Sequence, residues 1–106
     1  MGYFRHECMV VSSERREDVQ KAHEAASAIF NDAGMGSLVT GVVLHAINGG
    51  AAFMVAPDGS KEGWARSDAA ARARSDLIQV LATMPINWAL ILLGGDDGEY
   101  RVLQSP

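Results

Sequence analysis

The chain has 106 residues, a formal charge of −4 and 48% hydrophobic residues. That is one domain, long enough for a single core, and the absence of a basic run speaks against general affinity for nucleic-acid backbone. Cys8 is the single cysteine, which excludes a disulfide framework and a paired-cysteine zinc site and suits a reducing compartment.

Charges at Arg5 and Glu7 precede any apolar run, so the start does not read as a signal peptide, and no stretch approaches bilayer length. A cytoplasmic setting is expected. Residues 3–12 read as a strand ending in the β-branched pair Val10-Val11. Ser12-Ser13 offers N-cap hydroxyls, and Glu14, Glu17 and Asp18 favour the positive end of a helix. Val19, Ala22, Ala26, Ile29 and Ala33 then recur at helical spacing over about five turns, until Gly34 and Gly36 stop them. His23 lies beside that stripe and reads as a partly buried helix residue.

Residues 38–47 read as a second strand. Asn48-Gly49 suits a tight hairpin, and residues 51–56 return as the third strand. Pro57 forbids a normal ladder and Asp58-Gly59 is a turn dipeptide. Ser67-Asp68 can cap a second helix whose apolar positions are Ala70, Ala73, Leu77, Val80, Leu81 and Met84, with Arg72 and Asp76 outside. Pro85 ends it. Residues 88–93 form a fourth strand, and the turn at 94–98 leads to a short fifth one at 99–103. This β-α-β-β-α-β order with an extra C-terminal strand predicts an α+β, ferredoxin-like split βαβ sandwich with two helices on one face of an antiparallel sheet. A different α+β arrangement of the same elements is the alternative.

Both sheet faces read as apolar: Trp88, Leu90 and Leu92 alternate with Ala89, Ile91 and Leu93. Two helices cover only one face, so a homo-oligomer through the open face is expected, or else coverage by loops. Topology brings four segments to one end: residues 3–6, the turn at 34–37, the loop at 60–68 and the turn at 94–97. The start of the second helix lies there too, and its free backbone N–H groups favour an anion. Lys61, Arg66 and Arg5 would add charge, and Ser60 and Ser67 hydroxyl donors. Trp64, Tyr3 or Phe4 would stack on a base, with His6 and Asp96 on the rim. Trp64 has a second reading, as a lid on the core, and each polar residue alone reads as a cap, a turn residue or a solvated charge.

Chemistry beyond binding finds little support. His6 and Cys8 share a strand face, but no third ligand stands at a metal-binding spacing. Asp96-Asp97 in a glycine turn is common without a metal. No phosphate-loop, nucleophile-elbow or metalloprotease motif is present. An RNA-binding variant of the fold would need aromatics on the middle strands and a basic surface. No catalytic residue, cofactor or metal is therefore assigned.

Tyr3-Phe4-Arg5-His6, Val10-Val11, Asn48-Gly49 and above all the run Phe53-Met54-Val55-Ala56-Pro57-Asp58-Gly59-Ser60-Lys61-Glu62-Gly63-Trp64 resemble small proteins encoded by bacteriophages and prophages. Ser67-Asp68, Trp88 and Gly95-Asp96-Asp97 extend the likeness over nearly the whole chain. The resemblance implies an accessory role in the host cytoplasm, such as counter-defence by sequestering a nucleotide signal or by occupying a host protein. The expectation is a non-enzymatic binder of a nucleotide-like anion. A protein–protein module or inhibitor is the alternative, and a small phosphodiesterase-like enzyme comes last.

Overall fold

The computed structural model describes residues 4–61, 63–95, 98 and 100–106. In chain order it contains β1 (Arg5–Ser13), α1 (Arg16–Asp32), a 3-10 turn (Gly36–Leu38), β2 (Val43–Leu44), β3 (Ala51–Val55), α2 (Ala65–Leu81), β4 (Asn87–Gly95) and β5 (Tyr100–Gln104). The sheet order is β2-β3-β1-β4-β5 and every neighbouring pair is antiparallel. This is the expected ferredoxin-like arrangement, with β5 added beside β4.

β1 lies at the centre, between β3 and β4. Met9 and Val11 are fully buried while Val10 between them is 38% exposed. Their neighbours Val55, Phe53, Leu90 and Trp88 continue the same inward face. Val19, Ala22, Ala26 and Phe30 of α1 pack on it, with Ala70, Ala73, Leu77 and Leu81 of α2. Burying a Phe or Leu side chain completely contributes about 1.5–3 kcal/mol, so this one layer carries most of the folding drive.

α1 ends in a Schellman motif. The Met35 N–H donates to Phe30 O and the Gly34 N–H to Asn31 O, at 2.7 and 3.0 Å. Gly34 supplies the positive φ of 75° that this motif needs. At the other end Ser13 Oγ accepts from the Arg15 N–H at 3.0 Å, and Arg15, not a serine, is the N-cap. Asp18 is buried with its Oδ2 3.5 Å from Arg15 Nε.

Two boundaries differ from expectation. β2 spans only Val43–Leu44, joined to an isolated bridge between Val39 and Val55, where residues 38–47 were expected as one strand. Thr40 causes the break: its Oγ1 accepts the Met54 N–H at 2.9 Å, so a side chain replaces the next backbone partner. α2 also starts two residues before Ser67-Asp68. Trp64 is its N-cap without a side-chain hydrogen bond, so those two residues lie in the first turn instead of capping it.

The face opposite the helices stays open. Val43, Met54, Val10, Leu93 and Val102 on it are 36–66% exposed, and Ile91 continues the row between β1 and β5. No helix among the described residues is long and apolar enough to cross a membrane.

Candidate functional site

The loop from β3 to α2 begins where the Ala56 N–H donates to Leu38 O at 2.8 Å. Pro57 keeps it off the ladder, and Gly59 and Gly63 take φ values of 78° and 89°, which side-chain-bearing residues avoid. These bends carry Lys61 back to the first strand, where it forms an isolated antiparallel bridge with Phe4. Its Nζ stands 5.1 Å from the centre of the Phe4 ring, within cation–π range. The His6 ring lies 6.1 Å from that of Phe4 at 32°. Among the described residues, no carboxylate comes within ion-pair distance of Lys61.

The predicted convergence is therefore present for part of the set. Arg5 pairs with Gly95 and the Phe4 bridge brings in Lys61, so three distant segments meet. Trp64 closes the loop, its N–H donating to Lys61 O at 3.3 Å. At 53% exposure it is a surface platform and not a lid on the core. Arg66 is exposed and Ser67 half-buried in the first turn of α2. Asp96, like Tyr3, Glu62 and Asp97, falls outside the described residues. The Leu38–Ala56 bond joins residues next to the turn at 34–37 and ahead of the loop at 60–68, not those two segments themselves.

Two of the expected ligand groups are already engaged. Ser60 is 6% exposed and its Oγ donates to Asp58 Oδ2. Arg5 Nε stands 3.4 Å from Glu7 Oε2. Both belong to a chain of charges that sequence reading did not assemble. Arg74 of α2 stands 3.9 Å from Asp58 Oδ1 and 3.8 Å from Glu7 Oε2. Asp58, taken as a turn residue, is thus an anchor tying the loop to α2. The signal was available: Arg74 falls on the apolar stripe between Ala70 and Leu77, and Glu7 falls in phase with Met9 and Val11. A charge in step with a core face calls for a buried counter-charge.

No group of three metal-ligating side chains occurs among the described residues. Burial pushes the Cys8 thiol pKa up, opposite to the shift that activates a nucleophilic cysteine. No protein-family model matches the chain, and no curated protein or solved structure matches it either.

Proposed function

We propose that this chain is a non-enzymatic binding protein whose ligand is a nucleotide-like anion held at the mouth around Lys61. The observation that carries the reading is the bridge between Phe4 and Lys61. It sets an ammonium without a described carboxylate partner beside the Phe4 ring, four residues before the first residue of α2, a helix whose N-cap makes no side-chain hydrogen bond. A phosphate there meets Lys61, the first N–H groups of α2 and the Ser67 hydroxyl, with Arg66 adding long-range attraction. Trp64 offers a flat face for the base. The likeness of the run at 57–64 to phage-encoded proteins favours an accessory, counter-defence role in which a nucleotide signal is sequestered.

Calorimetry with a panel of cyclic and linear nucleotides tests this. Lys61→Ala and Trp64→Ala are each expected to weaken binding by about tenfold, the equivalent of about 1.4 kcal/mol. Recovery of the intact ligand after denaturation separates binding from a phosphodiesterase-like activity. If no nucleotide binds at millimolar concentration, the reading is wrong.

A second surface supports self-association, with a second copy of the chain as the occupant of the open sheet face. The strands have nine, two, five, nine and five residues in chain order. At ~3.3 Å per residue and ~4.8 Å between strands they cover roughly 480 Å². A stable interface needs about 800 Å² per partner, so the face supplies more than half, and the rest falls to its rim. Val10, Ser12, Ala52, Met54, Ala89, Ile91 and Val102 bring no charge to it, so a two-fold copy would bury none of these positions as a like-charge pair. Sedimentation is expected to show a dimer that Val10→Lys dissociates. A native monomer at 100-fold dilution and at high concentration alike excludes the self-interface, and capture of a different protein reassigns the face.

A further inference from the structure

The helix-covered side of the sheet holds a feature that the mouth around Lys61 does not use. A cleft of about 330 Å³ lies between α2 and the strands β1, β4 and β5. Glu7 and Arg74 make its floor, Ile78 and Leu90 its apolar walls, and Gln79 and Gln104 its polar rim. That volume falls at the small end of the range for ligand pockets.

Arg74 shows what such a pocket would hold. Its side chain is 9% exposed, yet its nitrogens stop 3.8 and 3.9 Å from the carboxylates of Glu7 and Asp58. A closed charge-assisted hydrogen bond spans about 2.7–2.9 Å. The guanidinium donates no hydrogen bond to a described residue, and its nitrogens are not sealed from solvent, so its donors are open to a ligand. The cleft gives an approach to it.

Charge decides the ligand class. Glu7 and Arg74 are the two charged residues lining the cleft and are opposite in sign, so the floor presents a donor fork next to an acceptor. A free anion there meets Glu7 and a free cation meets Arg74. An uncharged edge with a C=O beside an N–H satisfies both, and flat apolar walls favour a ring. We propose that this cleft binds a small planar heterocycle through a cyclic-amide edge, its N–H donating to Glu7 and its C=O accepting from Arg74. Guanine, hypoxanthine and uracil have that edge, and methylation of the ring N–H removes its donor. Reading a base by its Watson–Crick edge between apolar side chains is an ordinary recognition mode. The site does not depend on an anion at Lys61, because the edge it reads is neutral.

Methyl NMR titration of the intact chain with unphosphorylated guanosine, inosine, uridine and 1-methylinosine is the test. The first three are expected to shift the Ile78 and Leu90 methyl signals, with 1-methylinosine, whose ring N–H is blocked, at least about tenfold weaker than inosine, since a site left with unpaired polar groups rejects the wrong analogue strongly. Glu7→Gln is expected to weaken guanosine by about tenfold. Gln79→Ala and Gln104→Ala, both on the exposed rim, are expected to weaken it a few-fold while leaving the thermal midpoint unchanged. Silence of the methyl signals of both residues at saturating guanosine overturns the proposal, as does an equal response to inosine and 1-methylinosine. Backbone amide shifts confined to Lys61 and Trp64 in the same samples overturn it too, while leaving the anion reading in place.

Discussion

Replacing Arg74 by Met probes the charge chain that holds the loop at 57–64. The Arg74 side chain is 9% exposed, that of Asp58 7% and that of Glu7 21%. Removing the guanidinium leaves two carboxylates facing the space it occupied, with the Arg5 contact to Glu7 at 3.4 Å still in place. Deleting one partner of a fully buried pair costs about 3–5 kcal/mol. The separations of 3.8 and 3.9 Å and the partial exposure of Glu7 reduce that figure, and about 2.5 kcal/mol is expected. At a urea slope of about 1.5 kcal/mol per M, the midpoint followed by far-UV circular dichroism falls by ~1.7 M. Adding Glu7→Gln and Asp58→Asn to Arg74→Met removes the stranded charges and is expected to recover most of the loss. Amide exchange at Ser60 and Lys61 should quicken in the single variant, because the loop loses its tie to α2. An Arg74→Met chain within about 0.5 kcal/mol of the native one, with unchanged exchange in the loop, refutes the network as a coupled unit.

Leu77→Ala empties a fully buried position between α2 and the sheet, and about 3 kcal/mol of stability should be lost on urea denaturation. Asn48 holds a φ of 68° in the hairpin between β2 and β3, so Asn48→Ala is expected to cost about 1 kcal/mol while Asn48→Gly stays near neutral. Cys8 is buried with its thiol pKa raised by that burial, so labelling by a thiol reagent in the native state should be far slower than in urea. The sign for stability follows: the neutral thiol's contribution is complete below the unfolded pKa and is lost as pH rises through the folded one. Comparing Cys8→Ala with the native chain between neutral and strongly alkaline pH checks it, since the substitution should flatten that decline.

Local sequence alone determined the strand and helix order, the helix stop at Gly34, the hairpin at Asn48-Gly49 and the apolar stripes of both helices, whereas both sheet faces read as apolar and only the packing chose the inward one. Period, turn chemistry and capping act over a few neighbours, so they can be read without knowing what lies opposite. It also placed Lys61 and the start of β1 at one end, because a fold order dictates which chain ends meet. The truncation of β2 was not legible, for it depends on Thr40 Oγ1 finding the Met54 N–H 14 residues away. Nor was the role of Asp58, whose partner Arg74 lies 16 residues on and whose neighbour Ser60 turns inward only once the loop is folded. Trp64 could have been a lid or a platform on its sequence; its exposure is decided by where α2 starts. Only tertiary structure sets these, since a buried charge or a side-chain replacement for a backbone partner is a property of two surfaces and not of one stretch of chain.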